Sequence, residues 1–244
     1  MSSYNTISLS EGLKSFGIEA GTGQIDQFIS YYEILVEWNS FMNLTAITQF
    51  DEVVRKHFLD SVSLIRILPD LADKPYTLID VGTGAGFPGI PLKIVFPHLK
   101  ILLLDSLNKR INFLNEVIGR LGLKDVDTIH GRAEDYARNK QYREKYDLCV
   151  SRAVANLSTL SEYCLPFVKK GGCFVSYKSE KVSEEYEQSK KAIAVLGGKC
   201  EKREYFYLPD SDICRNLFLI RKVKITPEKY PRKAGIPQKE PIFF

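Results

Sequence analysis

Two carboxylates frame a run of glycines in this chain. The stretch from Leu78 to Gly89 reads L-I-D-V-G-T-G-A-G-F-P-G, with Asp80 ahead of Gly82, Gly84, Gly86 and Gly89, and Asp105 ends the next apolar run. Glycines at this density cost chain entropy and bury no side chain. They suit a strand-to-helix turn whose backbone must come close to a ligand. Two registers fit. Gly84, Gly86 and Gly89 make a dinucleotide fingerprint, G-x-G-x-x-G. Gly82, Gly84 and Gly86 make G-x-G-x-G with an acid two residues earlier. Asp80 decides between them, since a carboxylate at a solvent-facing strand end repels a pyrophosphate and attracts an ammonium or a sulfonium. The dinucleotide register would also end the strand on Gly82-Thr83, a poor ending. The reading is S-adenosyl-L-methionine, with a ligand-free glycine turn as the minority alternative.

Other polar residues fall at the carboxyl ends of predicted strands, where open α/β sheets bind ligands. Asp105 is placed to accept both hydroxyls of an adenosine ribose, and an acid there also serves as a helix cap. Ala133-Glu134 falls where an adenine edge should lie, with a solvent-facing loop acid as an equal alternative. Arg152 is read as holding a methionine carboxylate, an incoming phosphate, or a surface salt bridge. No Asp/Asn-Pro-Pro-aromatic run follows the fourth strand, where S-R-A-V stands instead, and the one proline-adjacent cysteine candidate, Cys164, lies within a predicted helix. The acceptor is therefore an atom already nucleophilic. Guanine N7 fits, because it has a lone pair and no proton to remove, so no catalytic base is assigned.

The elements that must position these residues follow from periodicity. Residues 1–23 are polar, with a helical turn or two at Leu9, Leu13 and Phe16. Ile25, Phe28, Ile29, Tyr32, Leu35 and Val36 mark a helix. Thr48 is expected to cap a second, with Val54, Phe58, Val62, Ile65 and Leu68 as its buried stripe. From Tyr76 short apolar runs alternate with helical stretches. Strands are expected at Thr77–Val81, Lys100–Asp105, Val126–His130, Asp147–Ser151, Gly172–Tyr177, Cys200–Leu208 and Cys214–Lys222, with a helix carrying Ile111, Leu114, Ile118 and Leu121 and ending near Gly122, and further helices near Leu157–Val168 and Glu180–Leu196. The fold class is α/β: a Rossmann-like, seven-stranded, mostly parallel sheet whose final hairpin makes one edge strand antiparallel. The expected division is a helical extension over 1–75, the sheet domain over 76–225 and a basic segment over 226–244.

The 244 residues are 44% hydrophobic and 26% charged, ordinary for a globular protein. No apolar run approaches a membrane span, and the first residues lack a secretory pattern. The five cysteines are scattered and odd in number, which reads as buried thiols in a cytoplasmic protein, and the isolated histidines give no support for a metal. Residues 221–244 hold seven basic and two acidic side chains, a net of +5 against +4 for the whole chain. Such a segment is a phosphate footprint or a solvated tail.

These residues resemble a known family. Asn43-Leu44-Thr45-Ala46-Ile47, His57-Phe58-Leu59-Asp60-Ser61, D-V-G-T-G-A-G-F-P-G-I-P-L from Asp80, L-D-S-L-N-K-R from Leu104, G-R-A-E from Gly131, S-R-A-V-A from Ser151 and P-R-K-A-G-I-P from Pro231 are similar to the bacterial small-subunit ribosomal RNA guanine-N7 methyltransferases, also called glucose-inhibited division protein B. The resemblance implies methylation of one guanine in the decoding-region loop of 16S ribosomal RNA, on a class I methyltransferase fold with a helical N-terminal extension. By motif it places cofactor contacts at Gly82, Phe87, Ala133, Glu134 and Arg152. The residue-level reading adds Asp80, Gly84, Gly86 and Asp105. Lys178, Arg232 and Lys233, with Arg152, become RNA candidates, and Arg55, Lys56 and His57 weaker ones. The implied partner is 16S rRNA in the small ribosomal subunit, with no metal and no membrane, and a monomer is expected. A small-molecule methyltransferase and a non-catalytic RNA-binding assembly protein are the alternatives. The Y-P-R-K-A-G-I-P stretch, with prolines and a glycine between cations, is expected to form an ordered turn.

Overall fold

A computed structural model describes residues 4–152, 155–179 and 182–243. Ala153 and Val154 of the S-R-A-V run, the expected helix start at Glu180 and the first three residues lie outside the described residues. The chain opens with α1 (Ile7–Ser15) and the long α2 (Thr22–Met42). The apolar stripe of α2 buries Phe28, Tyr31, Ile34 and Leu35. Gln24 ties its start to the sheet domain by donating to the Ile94 carbonyl at 2.7 Å. The next helix is not capped by Thr48. Gln49 takes the cap position, and the Thr48 carbonyl instead accepts from the Tyr32 hydroxyl at 2.9 Å.

That helix changes pitch three times. It begins as α3 (Phe50–Val53), widens to a π-helix over Val54–Leu59, returns as α4 (Asp60–Val62) and tightens to a 3₁₀ turn over Ser63–Arg66. A π turn inserts an extra residue into the register, a device found often at functional sites. Here it carries Lys56 and His57 and leads into Asp60, while Val54 and Phe58 stay in the core. The 3₁₀ tightening also moves the buried stripe, so that Leu64 and Ile67 are buried and Ile65 is only half-buried. A further 3₁₀ turn, Pro69–Ala72, leads to the sheet.

The sheet runs β1 (Thr77–Val81), α5 (Gly89–Val95), β2 (Lys100–Asp105), α6 (Asn108–Leu121), β3 (Val126–His130), α7 (Ala133–Tyr136), β4 (Tyr146–Ser151), α8 (Leu157–Cys164), β5 (Val168–Lys178), α9 (Ser183–Val195), β6 (Gly198–Tyr207) and β7 (Cys214–Lys222). Its seven strands lie in the order β3-β2-β1-β4-β5-β7-β6. Strands β1 to β5 pair in parallel, and β7 is antiparallel to both neighbours. The expected antiparallel edge strand is thus corrected: β7 is antiparallel but interior, and β6 forms the edge. Burial explains the order. Leu217, Phe218, Leu219 and Ile220 are all buried, which needs cover on both sheet faces. Glu201, Lys202 and Arg203 of β6 are exposed, and charge on an edge strand blocks further pairing.

Each sheet face has its own core. Leu78, Val150, Val175 and Leu217 pack with Leu9, Phe28 and Phe58, so the N-terminal helices and this face share one cluster. Ile79, Leu104, Phe174 and Ile220 pack with α8 and α9 residues on the other face. The segment after β7 is ordered, as its turn residues predict, and ends in a short α10 (Ile236–Lys239). Buried Lys222 starts it, donating to the Leu165 carbonyl (2.6 Å), the Val168 carbonyl (3.1 Å) and Thr226 Oγ1 (2.7 Å). Arg143 then holds the Thr226 carbonyl at 2.7 Å and the Tyr230 carbonyl at 2.8 Å.

Gly89 sets how closely α5 approaches the sheet. A Cβ there would lie 2.4 Å from Leu103 Cδ2 and 3.0 Å from Asp80 Oδ2. Gly89→Ala should therefore lower unfolding stability by about 1–3 kcal/mol in urea titration, as overpacking does; an unchanged midpoint would show that α5 has room to move.

Candidate functional site

The glycine turn begins where β1 stops at Val81, so Gly82 opens the turn. Gly82 adopts φ +72° and its N–H donates to the Leu104 carbonyl at 2.9 Å. Asp80 is not at a solvent-facing strand end, and this corrects the expected direct contact with a cationic ligand. It is 0% exposed, and it borders none of the three cavities described below. Its Oδ2 accepts from Thr83 Oγ1 (2.7 Å) and from the Gly89 N–H (2.9 Å), while Oδ1 is buried with no partner among the described residues. Burial pushes the carboxyl up to about 7, against the pull of Thr83, Gly89 and the Arg152 charge. Asp80 therefore serves the site through the turn it holds.

Gly86 is corrected in the same way. It is buried, and a Cβ on it would lie 2.7 Å from the Tyr31 hydroxyl and 2.7 Å from Ile90 Cγ1. The space it leaves is taken by Tyr31 of α2, whose hydroxyl donates to the Ala85 carbonyl. Gly82 and Gly84 are the turn residues with open faces.

Three cavities adjoin the strand ends. The first, about 290 Å³, is bordered by Gly82, Asp105, Ala133 and Glu134. Asp105 Oδ2 accepts from the Gly84 N–H at 2.9 Å and from Arg110 at 3.2 Å, and Oδ1 accepts from the Leu107 N–H at 3.0 Å. It thus orders the turn and the approach to α6 while facing the cavity. Glu134 Oε1 accepts from the Gly235 N–H at 2.9 Å. The second cavity, about 380 Å³, is bordered by Thr45, His57, Gly82, Gly84, Phe87 and Arg152. The third, about 700 Å³, is bordered by Lys56, His57, Asp60, Arg152, Lys178 and Arg215, among others. Gly82 and Arg110 belong to the first two, and His57 and Arg152 to the last two. The first and third cavities share Ala155, so the three adjoin one another, with Arg152 between the second and the third.

Buried Asp60 organises that junction. Its Oδ2 accepts from Arg152 Nη1 at 2.9 Å and its Oδ1 from Arg215 Nε at 2.8 Å. Arg152 also donates to the Lys56 carbonyl at 3.1 Å and lies over the Phe87 ring, 5.0 Å from its centroid. Two guanidiniums on one carboxylate leave a net positive charge, and their bonds to a fixed acceptor hold both in place. His57 stacks on Phe87 with centroids 4.6 Å apart. Burial first, and the Arg152 charge second, lower its pKa to about 3, so the ring is neutral. His57 Nε2 is 3.0 Å from Thr45 Oγ1, which fixes the N-L-T-A-I segment. The histidine is a packing group and not an RNA-binding cation.

The RNA candidates divide. Lys178 borders the third cavity but is 11% exposed and paired with Glu185 at 2.7 Å. Arg232 is corrected: it is not a free cation. Its backbone N–H (2.7 Å), Nε (2.9 Å) and Nη2 (2.7 Å) all bind Glu162, a carboxylate only 1% exposed. Lys233 is exposed and Arg55 half-buried. Sequence reasoning assigned no role to Tyr31, Asp60 or Arg215. Two signals were available: an acid on an otherwise apolar helix stripe at Asp60, and an arginine opening an apolar strand at Arg215. Among the described residues no group of three potential ligands could hold a metal, and no helix is long and apolar enough to cross a membrane.

The sequence profile of the GidB family, described as rRNA small subunit methyltransferase G, matches residues 24–214. The ribosomal RNA small subunit methyltransferase G of Lachnoclostridium phytofermentans is 57% identical over 95% of this chain and 95% of its own. That of Acetivibrio thermocellus is 57% identical over 96% of this chain and 95% of its own. Among solved structures, TYW2 of M. jannaschii in complex with AdoMet aligns with TM-score 0.51 at 15% identity, over 67% of this chain and 77% of that one. TrmN of Thermus thermophilus aligns with TM-score 0.50 at 15% identity, over 70% and 53%. At such identities these two likenesses carry the fold alone.

Burial of Asp80 gives a pH dependence. Its folded pKa, about 7, lies above the ordinary carboxylate value, so its contribution to stability is full at acid pH and is lost as pH rises through about 7. Asp80→Asn removes this titration and keeps an acceptor oxygen for Gly89 and Thr83. Relative to wild type, the Asn variant should gain stability between pH 5 and pH 8, by at most about 3 kcal/mol. Parallel denaturation curves at the two pH values would contradict the burial argument.

Proposed function

The chain belongs to the GidB family of small-subunit ribosomal RNA methyltransferases, and from that premise we propose that it methylates N7 of one guanine in the decoding-region loop of 16S ribosomal RNA, using S-adenosyl-L-methionine. The residues fit the cofactor. Asp105 offers two oxygens to a vicinal diol, its Arg110 contact being the one that can yield. The open faces of Gly82 and Gly84 leave room for the ligand, and Ala133 with Glu134 borders the adenine end. Bound there, the cofactor supplies an electrophilic methyl group on a sulfonium. Arg152 stands at the junction with the third cavity, where it meets the methionine carboxylate or an RNA phosphate.

The third cavity receives the guanine, and the observation that carries this is the sharing of His57 and Arg152 by the two cavities. Lys56, Lys178 and Arg215 line it, suiting a polyanion. No side chain is needed as a base, because N7 bears no proton. The chain's task is alignment and exclusion of water, worth several kcal/mol of barrier. A ring methylated at N7 becomes cationic, and Asp60 and the Lys56 carbonyl limit the repulsion from Arg152. The helices before β1 supply the acceptor-side wall, residues 76–225 the cofactor side, and residues 226–244 close the adenine end. Acting on the small subunit, as a monomer, places the work in the cytoplasm. Lys233 is retained as an outer phosphate contact.

Labelled methyl transfer to small subunits from cells lacking the protein tests this reading. Reduction with borohydride followed by aniline should cut the RNA at a single labelled guanine, and label elsewhere, or none, would refute the assignment. Arg215→Gln, which keeps a donor for Asp60 and removes the charge, should weaken RNA binding and reduce the slope of log affinity on log salt by about one. Cofactor affinity measured by calorimetry should be unchanged; an unaltered salt slope would remove Arg215 from the RNA surface.

A further inference from the structure

The cations of the C-terminal segment point, by sequence, to RNA, but their contacts lead to the cofactor cavity. Arg232 is fixed on α8 by Glu162 through three donor groups, its backbone N–H, Nε and Nη2. Three residues on, the Gly235 N–H donates to Glu134 Oε1 at 2.9 Å. Thr159 Oγ1 donates to the Pro237 carbonyl at 2.9 Å, and Ser158 Oγ to the Ile242 carbonyl at 2.7 Å. Pinned this way, the segment brings Gly235 and Gln238 to the same cavity of about 290 Å³ that Asp105 and Ala133 border.

Gln238 differs from its neighbours at that wall. It is exposed, and its amide makes no hydrogen bond among the described residues, whereas Glu134 is already engaged by Gly235. A primary amide offers a donor and an acceptor side by side. That is the pattern that matches the adenine amino group together with a neighbouring ring nitrogen. A carboxylate, which only accepts, matches half of it.

We propose that the C-terminal segment is a wall of the cofactor cavity, that Gln238 reads the adenine edge, and that Glu134 and Arg232 are positioning residues holding it there. This rests on adenosine lying in the first cavity. The segment's basic composition then serves docking on α8 in part, with Arg232 withdrawn from any RNA surface.

The test is calorimetric binding of S-adenosylhomocysteine and of its analogue with hydrogen in place of the 6-amino group. Wild type should prefer the amino compound by about tenfold, the usual worth of a well-placed hydrogen bond. In Gln238→Ala, a change at an exposed residue, that preference should fall to about twofold. Glu134→Ala should lower it as well, and Glu134→Gln, which keeps an acceptor for Gly235, should restore it. An undiminished preference in Gln238→Ala would overturn the proposal, and doubly so if Glu134→Ala abolished it, since Glu134 would then be the reader. A wild type that bound neither compound would overturn the cofactor reading itself, a result distinguishable from the first.

Discussion

A buried carboxylate under the glycine turn is the constraint on which the site depends. Asp80 accepts from Thr83 Oγ1 and the Gly89 N–H, and so joins the start of the turn to the first residue of α5. It does this at a cost, since burial raises its pKa to about 7 and charge removed from water is expensive. What offsets the cost is geometry. With both ends of the turn held, Gly82 and Gly84 keep their faces to the cavity, and the Gly84 N–H meets Asp105 at 2.9 Å. From α2, Tyr31 braces the same turn at the Ala85 carbonyl, filling the space that Gly86 leaves open.

The acceptor side is built on the same principle with opposite charges. Asp60 holds Arg152 and Arg215 at 2.9 and 2.8 Å, and the π turn before it sets His57 against Phe87. Removing one partner of such a group leaves a buried charge unpaired, which costs more than the pair contributes. The N-terminal helices are therefore part of the wall of the second and third cavities, and their core is continuous with one sheet face. The C-terminal segment makes the remaining wall, through Glu162 and Glu134.

Much of the fold was legible in the residues. The boundaries expected for β1, β2, β3 and β7 coincide with those observed, because apolar runs there end abruptly at glycine, proline or charge. The place of β7 between β5 and β6 was not read, although four buried residues in succession demand cover on both faces. The direction of Asp80 was misread for a related reason. Central parallel strands are buried on both faces, so an acid alternating with Ile79 and Val81 points to the Leu78 face and under α5. Arg232 was misread because net charge counts cations without regard to their partners, and its partner Glu162 is 70 residues away in sequence. The resemblance supplied the family and its chemistry. The arrangement of Tyr31 and Gln238 depends on tertiary contacts that no local pattern encodes.

The central claim is that Asp80 acts by shape and not by touching the cofactor's charge. Calorimetric affinities for S-adenosylmethionine and S-adenosylhomocysteine in Asp80→Asn and Asp80→Ala test it most directly. Asn keeps an oxygen for Gly89 and Thr83, so it should bind both ligands within about threefold of wild type, while Ala, losing two hydrogen bonds, should bind both at least about tenfold more weakly. If instead Asn lost affinity for the sulfonium ligand alone and kept it for the neutral thioether, the carboxylate would be meeting the charge itself, and the account would be wrong.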